Sequence, residues 1–403
     1  MLDIGIGLSL EENSFLATEE AIRQAKANLN NSGKIDLCLV FNSCDFSAAG
    51  VIKGCSALLR DVPIIGASGP AIISDKRIFK HGITVMLLGF PNGAYCRVAA
   101  TRDISEKNPF NCGKELAEKM LLGFKNIPRN LGLLFFDQQI ENGPNFIAGL
   151  QENLGKGLPC IGTSLSNQVD HSHSCLYLND EALNNSCAGI LWGGKTSFGV
   201  GIKHGWKPLG KPHTVSSAVG NIINSIDNKP AIEIYENYLG YDAAKLSQDL
   251  KKLSVSYPIG VFIPGEKDYL LRSVVSIDRR GALVCQGSIP EGSTVRLMIS
   301  TPETCLDATT QAIKEAQDNL AKSRLGQSNI KNSRFAIVFS SISRYNLLKR
   351  NFKKELNLIK NGFGETPFLG IYTSSELAPL TTSSYHGQIY FHNQDFSVLI
   401  IEG

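Results

Sequence analysis

The chain has 403 residues, of which 43% are hydrophobic and 19% charged, a composition typical of a globular protein with more than one core. Forty Lys and Arg against 37 Asp and Glu leave a net charge of +3, too small to favour nucleic acid or an anionic membrane as a partner. The ten cysteines lie singly, without a Cys-x-x-Cys pair, which argues against a zinc site and a disulfide scaffold. The sequence shows no signal peptide and no apolar run of membrane-spanning length, so we expect a cytoplasmic protein without membrane insertion.

The first 90 residues are typical of a β-α-β-α-β-β unit. Its apolar run LCLVFNS has the composition of a strand that is buried on both faces. A helical stretch follows, and then Pro63 begins a strand that reaches Gly66, because proline is tolerated at the first position of a strand. Strands are predicted at 3–9, 37–43 and 83–89, and the first helix is predicted at 18–29.

Two later stretches repeat this order of elements. The runs LGLLFFD at 131–137 and FAIVFSS at 335–341 match the first run, and each is followed by its own Pro-x-x-Gly strand. In the second unit, further strands are predicted at 97–101 and 187–192 and a helix at 114–122. In the third unit, further strands are predicted at 295–301 and 396–401 and a helix at 308–322. Strands that alternate with helices indicate sheets covered by helices.

The stretch 195–291 differs from the repeats, since it is rich in short β-like segments and has one helix-like piece near 230–239. We therefore predict an α/β protein whose repeated units form mixed, mainly parallel sheets, with a largely antiparallel β-rich insert between the second and third units. The predicted domains are 1–194, with units 1–90 and 95–194, and 195–403, with the β-rich module 195–291 and the third unit 292–403.

Several segments contain more specific sequence motifs, and these motifs resemble those of the FIST (F-box and intracellular signal transduction) family. They are GWKPLG at 205–210, the segment 340–344, GIYTSSELAP at 370–379 and FHNQ at 391–394. The resemblance covers nearly the whole chain, as a FIST N-terminal domain followed by a FIST C-terminal domain. It implies a sensory module of signal transduction that binds small ligands such as amino acids.

The sequence departs from the family pattern at several positions. Ser341 stands where the family often carries cysteine, which excludes thiol chemistry there, and Ser375 replaces a usual glycine. The turn at 69–72 lacks the glutamate normally found in the N-terminal domain. No F-box precedes the first strand, so recruitment of a ubiquitin ligase is not expected. The resemblance implies a separate signalling output protein as a partner.

The third unit contains the candidate ligand site. In open α/β sheets ligands bind outside the carboxyl ends of parallel strands, and Arg344 and Glu376 each follow such an end. The guanidinium of Arg344 suits a carboxylate and Glu376 suits an ammonium group, which together match an amino acid. Ser343 and Tyr372 would supply neutral hydrogen bonds. The alternative is that Arg344 and Glu376 pair with each other and only fix two loops.

Other polar or glycine-containing segments are candidate ligand or cofactor contacts. His392 and Asn393 open the last strand and either line the same crevice or form an ordinary turn. The pair His171 and His173 has no third ligand at a clear spacing, so a polar loop is preferred over a metal site. The glycines at 5–7 lack the third glycine of a dinucleotide loop, and no cofactor is expected.

The sequence as a whole favours a sensor that binds a small polar metabolite, without a catalytic residue. Two alternatives stay open. One is a protein interaction scaffold that has no ligand. The other is an unrecognised hydrolase using Ser341 and His392, although no nucleophile elbow surrounds Ser341 and no orienting acid is identifiable.

Overall fold

The three predicted units form three sheets that pack around one central core. The computed structural model describes residues 1–30, 34–137, 143–165, 174–241, 243–324, 333–380 and 388–403.

The strands and helices of the units follow the same order in each case. The first unit consists of β1 (Asp3–Ser9), α1 (Ser14–Ala27), β2 (Leu37–Ser43), α2 (Ala48–Leu58), β3 (Ile64–Gly69), β4 (Ile72–Ser74), β5 (Ile78–Phe79) and β6 (Ile83–Gly89). The second consists of β7 (Ala94–Arg102), α3 (Pro109–Met120), β8 (Arg129–Phe136), α4 (Gly143–Leu154), β9 (Cys160–Ser164), β10 (Leu176–Leu178), β11 (Glu181–Leu183) and β12 (Ser186–Gly194).

The third unit begins with β13 (Ser197–Lys203) and is interrupted there by the β-rich module. The module consists of β14 (Lys207–Val219), β15 (Ile222–Ile226), β16 (Lys229–Pro230), α5 (Glu233–Leu239), α6 (Ala243–Ser256), β17 (Ile259–Val261), β18 (Leu270–Arg272), β19 (Val274–Ile277), β20 (Leu283–Cys285) and β21 (Thr294–Ile299). The third unit resumes with α7 (Pro302–Ser323), β22 (Arg334–Ser341), α8 (Ile342–Leu348), α9 (Phe352–Phe363), β23 (Phe368–Thr373), β24 (Ser375–Ala378), β25 (Tyr390–His392) and β26 (Phe396–Glu402).

Each unit contributes a hairpin to the sheet of another unit. Four strands of the first unit and the hairpin β10–β11 of the second form one sheet, in the order β1-β6-β2-β3-β10-β11. The second sheet is β25-β24-β9-β8-β12-β7, and the third is β13-β26-β22-β23-β4-β5. The exchange is cyclic, so every unit pairs through backbone hydrogen bonds with both others. These hairpins were not predicted, because their strands are only two to four residues long.

The α/β class with mixed sheets is confirmed, although parallel pairing is less frequent than expected. Within the described strands, the parallel pairs are β2 with β3, β8 with β9, and β22 with β23. The closing strand of each unit runs antiparallel to its apolar run. The strands of the β-rich module pair antiparallel, as predicted.

The third unit differs from its prediction at its first strand. The segment expected to lead the unit, 295–301, overlaps β21, which pairs with β14 in the β-rich module. Its place is taken by β13, which pairs with β26 over seven residues, from Ser197 with Glu402 to Lys203 with Phe396. The module therefore interrupts the unit between its first strand and α7. An apolar pattern predicts a strand but does not select its partner.

The central core lies where the inner faces of the three sheets meet. Phe41, Phe135 and Phe339 occupy equivalent positions in the three apolar runs and form a triangle of edge-to-face rings, with centroids 6.0, 6.4 and 5.8 Å apart. Such rings bury large apolar areas in a favourable geometry. The outer face of each sheet is covered by the helices of its own unit. This arrangement explains why the apolar runs are buried on both faces.

Helix positions follow from local signals in the sequence. The side chain of Asn13 accepts the backbone N–H groups of Phe15 and Leu16 and so begins α1. Thr301 and Thr304 form a reciprocal cap at the start of α7. No helix in the described ranges is long and apolar enough to cross a membrane. The predicted cytoplasmic location stays a prediction.

The glycines at 5–7 allow close contact between a strand and a helix. A Cβ atom on Gly5 or Gly7 would lie 2.0 or 1.8 Å from a carbonyl oxygen of α1. In the third unit, a Cβ atom on Gly199 or Gly201 would lie 2.0 Å from a carbonyl oxygen of α7. Only glycine permits this approach, so the resemblance of 5–7 to a dinucleotide loop has a packing explanation.

Candidate functional site

Arg344 lies at the start of α8 and is completely buried. Its guanidinium donates hydrogen bonds to Glu355 Oε1 at 2.8 Å and to Thr309 Oγ1 at 2.7 Å. It also donates to the backbone carbonyls of His204 at 3.0 Å and Cys305 at 2.9 Å. The side chain therefore ties the residue that follows β13 to α7 and α9, and its charge is neutralised by Glu355.

The carboxylate of Glu355 is satisfied on both oxygens. Oε1 also accepts the hydroxyl of Thr309 at 3.0 Å, and Oε2 accepts the hydroxyl of Tyr372 at 2.7 Å. Burial, followed by the nearby Glu355, raises the pKa of Tyr372 well above its ordinary value. Burial would lower the pKa of Arg344, but Cys305 and Glu355 raise it overall. We call Arg344, Glu355, Tyr372 and Thr309 the arginine network.

Glu355 was not predicted as a site residue, although the pattern of its helix contains a signal for it. Glu355 lies on the buried side of α9, with Ile359 and Phe363 four and eight residues further on. A carboxylate on an apolar helix face needs a partner inside the protein. The neighbouring basic residues are exposed, as expected of a solvated helix face, and they are Lys349, Arg350, Lys353 and Lys354.

Glu376 and His392 form a second buried group, on the central face of the second sheet. They lie opposite each other in the pairing of β24 with β25, and they are 0% and 1% exposed. Glu376 accepts the backbone N–H of Asp395 at 3.2 Å and the hydroxyl of Thr373 at 3.4 Å. Nδ1 of His392 lies 3.4 Å from the carboxylate of Asp395, and Nε2 lies 3.0 Å from the carbonyl of Ala378. We call Glu376, His392 and Asp395 the acidic cluster.

Glu376 occupies a position that is aliphatic in the other two sheets. In the second sheet it pairs with Thr163, one residue after Gly162. The corresponding hairpin residues are Leu176 in the first sheet and Ile72 in the third, and both belong to the central core. Burial first, and then the charge of Asp395, raises the pKa of Glu376 well above its ordinary value.

The other predicted site residues have structural partners. Asn393 accepts the backbone N–H of Ser273 at 3.2 Å and donates to the carbonyl of His392 at 3.0 Å. The backbone N–H of Ser343 donates to the hydroxyl of Ser341, which caps α8. Ser341 and His392 thus each have hydrogen-bond partners of their own among the described residues.

The structure therefore divides the predicted site in two. Arg344 and Tyr372 belong to the arginine network, while Glu376 and His392 belong to the acidic cluster. The predicted alternative of a direct pair between Arg344 and Glu376 is replaced by the pair of Arg344 with Glu355. Glu355 and Asp395 were not predicted as site residues, because Glu355 lies within a helix and Asp395 lies just beyond the FHNQ segment.

A cleft of about 80 Å³ lies beside the arginine network, where the third unit meets the β-rich module. It includes part of the GWKPLG segment and the first turns of α7. The residues that define its chemistry are Lys203, His204, Trp206, Lys207, Asp268 and Asp307. The carbonyl of His204, held by Arg344, fixes one wall of the cleft.

The cleft presents charges of both signs. Lys203 lies 2.8 Å from Asp268 and 3.3 Å from Glu315. Burial would lower the pKa of Lys203, but the two carboxylates raise it, so the ammonium stays charged. Burial would raise the pKa of Asp268, but Lys203 lowers it overall, so its carboxylate stays ionised. Lys207 and Asp307 are both exposed on the cleft rim.

His204 lies between the cleft and the acidic cluster. Its Nδ1 accepts the backbone N–H of Trp206 at 2.9 Å, which places the proton of the neutral ring on Nε2. Nε2 is buried and has no hydrogen-bond partner among the described residues. Burial lowers the pKa of His204, opposed by Asp395 and Asp268. The ring is a neutral donor with an unused N–H group.

Among the described residues, no group of three His, Cys, Asp or Glu side chains is arranged to hold a metal ion. His171 and His173 lie outside the described residues.

Comparison with known proteins gives two family matches. Residues 36–229 match the model of the FIST N domain, and residues 231–379 match that of the FIST C domain. FIST domains are associated with the sensing of small ligands in signal transduction.

Similar curated proteins carry no assigned activity. An uncharacterized protein of Methanocaldococcus jannaschii is 23% identical over 81% of this chain, and the match spans 66% of that protein, less than two thirds of its length. An uncharacterized protein of Mycobacterium tuberculosis is 21% identical over 95% of this chain and 97% of its own length.

Similar solved structures are distant. The crystal structure of a cyanuric acid hydrolase from A. caulinodans has a TM-score of 0.39 and 8% identity, covering 100% of this chain and 99% of its own. PurLQS from Thermotoga maritima has a TM-score of 0.24 and 12% identity, covering 100% of this chain and 72% of its own. Likeness at this level assigns no activity to this chain.

Proposed function

Because this chain belongs to the FIST family, we propose that it is a sensory protein that binds a small polar metabolite of the amino acid type. The ligand lies in the cleft between the third unit and the β-rich module. This proposal keeps the ligand class that the sequence suggests, but it moves the ligand contacts from Arg344 to the residues of the cleft.

The observation that supports the proposal is the arrangement of opposite charges around a small volume. Lys207 and Asp307 are exposed on the rim, and Asp268 and Lys203 line the interior. An amino acid carries one carboxylate and one ammonium group, and both find a complementary charge there.

The wall of the cleft is rigid for a physical reason. Arg344 holds the carbonyls of His204 and Cys305, and the indole N–H of Trp206 donates to the carbonyl of Val255 at 3.1 Å. A ligand held against fixed groups loses less free energy on ordering the protein. The predicted residue Arg344 therefore acts as a positioning residue for the cleft rather than as a ligand contact.

The proposed cleft lies between two parts of the protein, the β-rich module and the third unit, which are also joined by hydrogen bonds. Gln394 donates to the carbonyl of Ser254 at 2.8 Å and to the hydroxyl of Ser273 at 2.9 Å, and Arg272 donates to the carbonyl of Phe391. The module is thus hydrogen-bonded to the segment that contains the acidic cluster. Contacts of one ligand with both parts would bias their arrangement, which is the property a sensor needs.

The test is a thermal-shift screen of the whole protein against amino acids and related metabolites. A ligand at a hundred times its dissociation constant adds about 2.7 kcal/mol to the free energy of unfolding. We expect Lys207→Ala and Asp307→Ala each to weaken the hit about tenfold, since each removes one charge–charge hydrogen bond. Lys53→Ala, an exposed residue of α2, is the matched control. No shift across the library, or a hit unaffected by both cleft variants, contradicts the proposal.

The proposed role includes no catalytic step. The arrangement around Ser341 supports this, because its hydroxyl accepts a backbone N–H and caps α8. Turnover of generic esters that disappears in Ser341→Ala would instead identify the protein as a hydrolase.

A further inference from the structure

The β-rich module carries a hydrogen-bonded chain of three ionisable side chains at a second cleft. His213 on β14 has Nδ1 at 2.7 Å from Asp227 Oδ2 and Nε2 at 3.2 Å from the hydroxyl of Tyr238. The backbone N–H of Lys211 donates to the same hydroxyl at 3.0 Å. The three side chains come from β14, from the turn after β15 and from α5, so tertiary packing brings them together.

Local backbone features build this arrangement. The pairing of β14 with β21 shifts register between Leu209 and His213, and such a bulge redirects the following side chains. Gly210 has φ of +71°, and a Cβ atom there would lie 2.1 Å from the ring of Tyr238. Asp227 has φ of 50° and occupies a tight turn, where its Oδ1 accepts the backbone N–H of Thr214 at 2.9 Å.

The direction of the hydrogen bonds can be deduced. The backbone N–H of Thr214, followed by His213, lowers the pKa of Asp227, so its carboxylate is ionised and accepts a hydrogen bond from His213 Nδ1–H. In the neutral ring Nε2 is then an acceptor, and the Tyr238 hydroxyl donates to it. If Nε2 gains a proton, it donates to the Tyr238 oxygen instead. The hydroxyl proton of Tyr238 is then free to bind an oxygen of a ligand.

The cleft around this chain has a volume of about 420 Å³. The groups that face it are His213 and Lys211 from β14, Asp227 from the turn, Lys229 from β16, and Glu233 and Tyr238 from α5. Lys229 and Glu233 form an ion pair at 3.5 Å. Within the described residues, the ammonium of Lys211 has no ion-pair partner within 4.0 Å, so it is the cation available to an anion.

The remaining lining is apolar. Ile226, Pro230 and Ile234 contribute to the same cleft, and the first and last of these also belong to the core of the module. An anion bound at Lys211 would therefore place the rest of its carbon skeleton against an apolar wall. A carboxylate needs one cation and one or two donors, which is what Lys211 and Tyr238 supply.

We propose that this cleft binds a small amphipathic carboxylate and takes up one proton at His213 Nε2 as it does so. The carboxylate pairs with the ammonium of Lys211 and accepts a hydrogen bond from the hydroxyl of Tyr238. The proton comes from the solvent and forms an N–H bond at Nε2, the imidazolium is stabilised by Asp227, and no bond between heavy atoms changes. This site is separate from the cleft of the proposed function, and neither proposal rests on the other.

The test uses benzoate as the probe and the full chain, with calorimetric titration in buffers of different ionisation enthalpy. The dependence of the binding enthalpy on the buffer gives the number of protons taken up. We expect uptake of about one proton per benzoate at a pH near 8, and tighter binding near pH 6 than near pH 8. No binding at millimolar benzoate, or binding without proton uptake, overturns the proposal.

Two variants separate the roles of the residues. Tyr238→Phe removes only the hydroxyl and is expected to weaken binding about tenfold and to abolish proton uptake. Lys211→Ala is expected to weaken binding about tenfold and to leave proton uptake in place. Lys252→Ala, on the exposed side of α6, is the matched control and should bind as the parent does. Thermal unfolding of each variant verifies folding, and full proton uptake in Tyr238→Phe contradicts the proposal.

Discussion

The arginine network and the acidic cluster lie in the same unit and are equally buried, but they differ in how their charges are compensated. In the arginine network both oxygens of Glu355 accept hydrogen bonds, and the opposite charge of Arg344 lies at 2.8 Å. In the acidic cluster two carboxylates, Glu376 and Asp395, face a single imidazole. Burial of a charged residue therefore does not identify a ligand contact, since the charge of Arg344 is already paired with Glu355 within the protein.

The largest expected effect concerns Arg344. Arg344→Ala leaves the carboxylate of Glu355 buried without its cation, which should lower the free energy of unfolding by about 3–5 kcal/mol. Urea denaturation measures this loss. The paired variant with Arg344→Met and Glu355→Leu removes both charges and should cost less than the sum of the two single changes. A loss below about 1 kcal/mol in Arg344→Ala would show that the network is not a structural centre.

The acidic cluster should respond to pH instead. Because the pKa of Glu376 is raised in the folded protein, this group contributes stability that is complete below its unfolded pKa of about 4.3. That contribution is lost as the pH rises from this value towards the raised folded pKa. Glu376→Leu, which introduces the residue found at the equivalent Leu176, removes this dependence.

The measurement compares the parent and Glu376→Leu by urea denaturation near pH 5 and near pH 7. Between pH 5 and pH 7, the free energy of unfolding of the variant should rise on the order of 1–2 kcal/mol relative to that of the parent, since each unit of pH contributes at most about 1.4 kcal/mol. Glu376→Gln, which is neutral at both values, serves as a second variant. An unchanged difference between parent and variants at the two pH values would mean that Glu376 is ionised in the fold.

Two buried threonines give the finest comparison. Thr309 lies 2.7 Å from Arg344 and 3.0 Å from Glu355, whereas Thr373 lies 3.4 Å from Glu376. Thr309→Val should therefore cost about 1.5–3 kcal/mol, and Thr373→Val less than about 1 kcal/mol. Thermal or urea unfolding of the two variants under one condition ranks them. Equal losses would remove the distinction between the charge-paired arginine network and the acidic cluster.

The candidate site was predicted in part. The sequence places Glu376 and His392 near strand ends of one unit, and the structure brings them opposite each other in neighbouring strands. It also places Arg344 in the first turn of a helix after β22, as its position after an apolar run suggests. The partner of Arg344 could not be predicted, because Glu355 approaches from α9 and its selection depends on how that helix packs.

The sequence by itself determined the repeated α/β units and their buried strands, since an apolar run and a following Pro-x-x-Gly segment are local signals. Only the tertiary structure decided the cyclic exchange of hairpins, the position of β13 and the partners of the buried charges. The reason is physical. The tendency to form a strand or helix depends on neighbouring residues, whereas the choice of partner depends on contacts between residues far apart in the chain.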